Sequence, residues 1–146
     1  MNPRRHREFG SAIITDTRGR FLLQQREDIP GILYPGMLGL FGGHRERGET
    51  FLECAVREIH EEISYFVSPE RFEWLANYRS VDADGCTVSG EFFVVRDVPI
   101  DAVRITEGHL FIAERKELPA LAARFEPSAQ VAIDTFLNQP ISQTTN

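Results

Sequence analysis

The chain is poor in the features that mark secreted, membrane-spanning or nucleic-acid-coating proteins. It has only two cysteines. Cys54 and Cys86 are far apart and lack CxxC spacing, so neither a disulfide framework nor a cysteine zinc site is indicated, and a reduced, cytoplasmic setting is expected. Long apolar runs are also missing. The basic opening MNPRRHREF leads only into SAII, too short for a signal-peptide core or a membrane span, and Arg4, Arg5 and Arg7 read as a solvated arm. Positive charge is in deficit: 16 Lys and Arg against 22 Asp and Glu give a formal charge of −6. That balance disfavours a nucleic-acid polymer or an anionic membrane as partner, yet leaves room for a local phosphate pocket. Internal repeats and low-complexity tracts are absent.

What is present suffices for a packed domain. With 146 residues, 42% of them hydrophobic and 10% aromatic, the expectation is a single domain over residues 1–146, with 1–8 and 140–146 flexible. Phe9–Thr15 and Phe21–Gln25 are β-prone runs around a turn at Asp16 and Gly19, hence an opening hairpin. A loop rich in Pro and Gly follows, with a short strand at Leu38–Phe41; its apolar residues need a surface to lie on, and loops of this length are usually functional. Thr50 and Glu53 form an S/T-x-x-E capping box that opens a helix running to Ile63. Strands are expected at Trp74–Val81, Thr87–Asp97 and His109–Ala113, the first two joined by the turn Asp82–Gly85. A last helix starts behind Ser128 as its cap, carries Ala129, Ala132, Ile133, Phe136 and Leu137 at helical spacing, and ends before Pro140. The succession of elements gives an α+β fold with a mixed sheet between helices.

The helix through Thr50–Ile63 divides into sectors on a wheel of about 100° per residue. Leu52, Ala55, Val56, Ile59 and Ile63 form the stripe that packs on a sheet. Glu58, Glu61 and Glu62, at spacing i, i+3, i+4, share a second sector without Lys or Arg, and Glu53, Arg57 and His60 occupy a third. Three like charges so placed repel. They read either as a solvated acidic face or as oxygen ligands for a hard divalent cation, which would neutralise them. Just before the helix, Gly42 and Gly43 read either as a plain turn or as a place where backbone can approach a cation or phosphate without a Cβ in the way.

The stretch GHRERGETFLECAVREIHEEISY, Gly43–Tyr65, resembles the Nudix box, G-x5-E-x7-R-E-U-x-E-E-x-G-U with U a bulky apolar residue. Gly43, Glu49, Arg57, Glu58, Ile59, Glu61 and Glu62 fall on its fixed positions. Ser64 stands where the family usually has Gly, so the end of the helix is expected to differ locally; Tyr65 at the last apolar position is a milder departure. A motif with so many fixed positions is specific, although it covers only this stretch. The resemblance implies a Nudix-type α/β/α sandwich and a pyrophosphohydrolase dependent on Mg²⁺, with Mn²⁺ as an alternative. Glu58, Glu61 and Glu62 would then be metal ligands, joined by a backbone carbonyl of Gly42 or Gly43. Arg57, through Glu49, would orient the glutamates. The proton acceptor varies in this family; Glu58, Glu61 and Glu107 are the catalytic candidates, with Glu107 in the TEGH segment read against an ordinary loop glutamate.

Further candidates come from single residues. Arg26 at the end of FLLQQR would steer a phosphate, or else pair with Glu27 or Asp28. Tyr34, Phe41 and Tyr78 are candidates for stacking on a base, His109 for a base or stacking role, and Cys54 for a small buried helix residue. The implied substrate is a nucleoside diphosphate linked to another moiety. The loop IPGILYPG looks like loops of sugar-nucleotide members, so a nucleotide sugar is the first expectation and a modified nucleoside triphosphate the second. Specificity is assigned to Asp28–Met37 and Ile100–Gly108. A non-catalytic nucleotide-binding module is the rival reading, disfavoured because every ligand position is filled, and an isomerase of this fold would need a thiol in a context neither cysteine has. Many members dimerise, so a homodimer is among the expected states.

Overall fold

The computed structural model describes residues 6–82 and 84–139. Among them the elements run β1 (His6–Asp16), β2 (Phe21–Gln25), β3 (Leu38–Gly39), β4 (Phe41–His44), α1 (Phe51–Ile63), β5 (Glu73–Val81), β6 (Thr87–Val98), β7 (His109–Ala113) and α2 (Pro127–Leu137). Short 3₁₀ segments lie at Pro69–Arg71, Ile100–Ala102 and Arg115–Arg124. The strands form one mixed sheet in the order β3-β2-β1-β6-β5, with β4 also paired to β1 and β7 to β2. β1 and β6 run parallel, whereas β1 is antiparallel to β2 and β4, and β5 to β6.

The central strands carry near-continuous apolar runs because both of their faces are covered. Ala12, Ile14, Leu22, Phe41, Phe93 and Val95 pack beneath Ala55, Ile59 and Ile63 of α1. Their alternate neighbours Ile13, Phe21, Leu23, Phe92 and Val94 pack on the other face with Ala129, Ala132, Ile133 and Phe136 of α2. The result is an α/β/α sandwich of the expected class.

α1 forms where its residues demand it. Thr50 Oγ1 accepts from Glu53 N at 3.0 Å and the Glu53 carboxylate accepts from Thr50 N at 2.9 Å, so both halves of the capping box are made. At the other end Ser64 takes the left-handed conformation, φ 57° and ψ 33°, and its N–H donates to His60 O at 3.0 Å. Ser64 therefore performs the turn usually left to glycine, at a steric cost glycine avoids.

Several boundaries differ from expectation for identifiable reasons. His6, Arg7 and Glu8, expected in a flexible arm, belong to β1, because the parallel ladder with Thr87, Val88 and Ser89 extends that far. Arg7 is correspondingly tied, its Nη1 to Asp82 Oδ2 and its Nη2 to Asp84 Oδ2, each at 2.5 Å. Arg4, Arg5 and the segment 140–146, including Pro140, lie outside the described residues. The single strand expected at Leu38–Phe41 is two: β3 pairs with β2 and β4 with β1, the change of partner falling at Leu40. Gly42 and Gly43 are thus strand residues, not a plain turn. α2 is capped by Glu126 instead of Ser128: Pro127 occupies the first turn, and Ser128 N donates to Glu126 Oε1 at 2.9 Å. The turn at Asp82–Gly85 closes as expected, Gly85 N donating to Asp82 O at 2.9 Å and Asp82 N to Cys86 O at 2.8 Å.

Candidate functional site

β1 divides one edge between two partners, β2 at Ile14 and Thr15 and β4 from Phe9 to Ala12. Over the β4 branch, Glu58 and Glu62 of the acidic sector meet glycine backbone. A Cβ on Gly43 would stand 2.2 Å from Glu58 Oε1, so only glycine lets that carboxylate lie against the strand. Glu62 reaches the same strand, its Oε1 accepting from Gly42 N at 2.9 Å. Burial pushes the Glu62 carboxyl up to about 8; the Gly42 N–H opposes this, and the nearby charges of Glu58, Glu107 and Glu61 reinforce it. Glu62 is thus a buried carboxyl among other acids.

Arg57 corrects the view that the acidic sector lacks a cation. Its side chain spans from its own sector to Glu58, Nη1 to Oε2 at 2.8 Å, and to Glu61 Oε1 at 3.6 Å. It also grips Glu49 with two bonds, Nε to Oε2 at 2.6 Å and Nη2 to Oε1 at 2.9 Å. A long guanidinium side chain reaches neighbouring sectors that a wheel of Cβ positions treats as separate. The Arg57 bond, aided by the Glu46 amide, holds the Glu49 carboxyl down to about 2, and Glu49 in turn raises Arg57 above its ordinary value. Part of the repulsion among the glutamates is therefore already relieved at Glu58 and Glu61, and the unrelieved part sits at Glu62. Among the described residues, no three His, Cys, Asp or Glu side chains converge as a cage for a metal ion.

A cavity of about 530 Å³ opens beside these residues. Gly42, Gly43, Glu58, Glu62, Glu107 and Arg26 line it; Glu61, Arg57 and Glu49 do not. Arg26 forms no ion pair with Glu27 or Asp28 among the described residues; its Nε donates to Leu33 O at 2.8 Å, which ties the loop bearing Leu33 and Tyr34 to the cavity rim. Tyr34 and Tyr78 line the cavity, Tyr78 packed against Phe9 and Phe92. Phe41 is withdrawn from the stacking candidates because it is fully buried under α1. His109 is exposed, off the cavity wall, and 3.7 Å from Glu27. Cys54 is buried as expected: its thiol, pushed up to about 11 by burial, donates to Gly43 O at 3.2 Å.

The cavity also has walls that motif reasoning overlooked, among them Arg7, Ser11, Gln24, Glu126 and Ser128. Ser11 and Gln24 left a legible trace: each is a buried polar residue beside an apolar strand run, and such a residue needs a partner or a ligand. Arg7 and Glu126 left none, since their positions depend on which strands and helices become neighbours.

The comparisons with known proteins agree with this architecture. The family described as NUDIX domain matches residues 4–131. No curated protein matches significantly. Among solved structures, the E. coli ORF135 protein is 20% identical, with a TM-score of 0.75 over 99% of this chain and 100% of that one. A MutT NUDIX hydrolase from Burkholderia pseudomallei is 22% identical, with a TM-score of 0.73 over 90% of this chain and 98% of its own. The E. coli dihydroneopterin triphosphate pyrophosphohydrolase is 23% identical, with a TM-score of 0.67 over 90% and 96%. At these identities the structures speak to the fold, while the family match spans most of the sequence, the box included: the chain belongs to the NUDIX family.

Proposed function

We propose that this NUDIX-family phosphoanhydride hydrolase is a divalent-cation-dependent pyrophosphohydrolase acting on a nucleoside diphosphate linked to another moiety, with a nucleotide sugar as the first substrate to test. The observation that carries the proposal is that Glu58, Glu62 and Glu107 line one cavity together with Arg26, the Glu62 carboxyl raised by burial and, after it, by the neighbouring carboxylate charges. The donors are all hard oxygens, which suits Mg²⁺ or Mn²⁺. Glu58, Glu61 and Glu62 would hold the cation with a carbonyl of Gly42 or Gly43, and Glu61, paired to Arg57 and off the cavity wall, is the weakest of the set. When bound, the cation supplies Lewis acidity to phosphate oxygens and to the attacking water.

The chain's own groups do the rest. Glu107 takes the proton from water, with Glu58 as the alternative acceptor. Arg26 steers a phosphate from the cavity rim. Arg57, gripping Glu49, keeps Glu58 extended along Gly43. Tyr34 and Tyr78 offer ring faces to a base. Among the described residues no helix is long and apolar enough to cross a membrane.

The test is phosphate-product release with Mg²⁺ and then Mn²⁺ across nucleotide sugars, dinucleotides and canonical or oxidised nucleoside triphosphates. The triphosphates are included because one similar structure is that of a dihydroneopterin triphosphate pyrophosphohydrolase. Turnover of one class names the substrate. No turnover by a folded, metal-binding protein would replace the proposal with a nucleotide-binding module.

A further inference from the structure

Glu107 reaches the cavity from outside the helix that carries Glu58 and Glu62, so its distance from them must be set by other contacts. One set joins the preceding segment to the end of α1, where the last carbonyls have no helical partner. Arg104 N donates to Ile63 O at 2.8 Å, Thr106 N to Glu62 O at 3.0 Å, and the Thr106 hydroxyl to Glu61 O at 3.1 Å. A second set comes from β2. Gln24, only 6% exposed, donates from Nε2 to the backbone carbonyl of Glu107 at 3.0 Å. Next to it, Gly108 has φ 72° and lies so near the strand that a Cβ would stand 2.6 Å from Gln25 O.

An amide side chain in a buried strand position costs stability unless it is bonded. Here the bond goes to the main chain of a cavity acid. We propose that Gln24 is a positioning residue for Glu107: with Thr106 it forms a two-sided clamp that fixes the origin of the Glu107 side chain relative to the turn of α1 bearing Glu61 and Glu62. The proposal rests on the reading of Glu107 as the proton acceptor. Its consequence is that the segment Arg104–Gly108 is a bracket built onto the metal-site helix, preset before substrate arrives. A displacement of about 1 Å in such a group can cost on the order of 100-fold in rate.

The experiment is a double-mutant cycle of Gln24→Met, which keeps length and removes the donor, with Glu107→Gln, on the best substrate of the panel. Gln24→Met is expected to lower kcat roughly tenfold or more with KM within about threefold, and to have less than about a twofold effect once Glu107 is already Gln. Equal losses in both backgrounds, or a rise in KM alone as expected if Gln24 only touches substrate, would overturn it. Parental kcat in Glu107→Gln would also overturn it, while leaving the hydrolase reading intact. If the parent hydrolyses nothing in the panel, the hydrolase reading fails and amide exchange decides the clamp: Gln24→Met should speed exchange at Arg104 and Thr106 about tenfold or more, and unchanged exchange refutes it. If Gln24→Met does not fold, Thr106→Val, which removes the hydroxyl bond to Glu61 O, enters the same cycle with the same criteria.

Discussion

Replacing Glu62 with Gln should stabilise the metal-free protein, and only at neutral to alkaline pH. In the folded chain the Glu62 carboxyl holds its proton up to about pH 8, against an ordinary value of 4.5. A carboxyl raised in this way favours the folded state at low pH and disfavours it progressively as pH climbs through that window, because the native state binds more protons than the unfolded one. At 1.36 kcal/mol per pKa unit the whole displacement corresponds to roughly 5 kcal/mol. Relaxation and water entry lower such figures, so a gain of about 2–4 kcal/mol at pH 9 is expected for Glu62→Gln. Near pH 4.5, where Glu62 is protonated, parent and variant should be nearly equal. Gln can still accept from Gly42 N, so the contact itself is kept. The assay is denaturant unfolding in EDTA at pH 5 and pH 9, repeated with excess Mg²⁺. Saturation at 100 times Kd would add about 2.7 kcal/mol to the parent, and the variant should gain far less. A parent at least as stable as the variant at pH 9 in EDTA, or an advantage of the variant that does not depend on pH, would refute the reasoning.

Ser64→Gly should raise stability by about 0.5–1 kcal/mol with kcat unchanged, since glycine adopts the observed left-handed conformation without a Cβ penalty; a loss on thermal melting would contradict the strain argument. Asp16, 2% exposed, is pushed up by burial, but the amides of Arg20 and Arg18 and the Arg20 guanidinium more than compensate and hold it below its ordinary value. Its contribution is therefore full above about pH 4 and lost as pH falls through the folded value, and Asp16→Asn should cost about 2–3 kcal/mol at pH 7 and flatten the acid limb of the stability curve. Gly43→Ala puts a methyl 2.2 Å from Glu58 Oε1. It should cut kcat by roughly tenfold or more by displacing Glu58, with the far-ultraviolet spectrum unchanged, and parental kcat would show that Glu58 need not lie along β4.

The helix and its acids were legible because the information is local. Thr50 and Glu53 announce the start, the apolar stripe gives the buried face, and the acidic spacing places Glu58 and Glu62 toward one strand, all within a few turns of chain. The reach of Arg57 into the acidic sector escaped the wheel, though its pairing with Glu49 did not escape the motif, because so long a side chain does not respect the sector of its Cβ. The remaining cavity walls were hidden for a different reason. Arg7 and Glu126 come to line the same cavity as Glu62 and Glu107 only after β1 has paired with β6 and α2 has packed on the sheet, and no local pattern encodes those neighbours. The cap of α2 shows a competition between two sound rules: Ser favours the cap position, but Pro127 fits the first turn and moved the cap back to Glu126.

The parallel pairing of β1 with β6 bears on how the chain is made. His6 and Thr87 are 81 residues apart, and the ladder between these strands spans most of β1. During synthesis at about 5–20 residues per second, β1 would wait roughly 4–16 s for its central partner to be translated. Until then β2 and β4 can cover one edge of β1, while the opposite edge, which β6 pairs from His6 to Ile14, stays open. A nascent chain halted before Thr87 would thus display one edge of the central strand of its future sheet unpaired, an edge on which another chain can add.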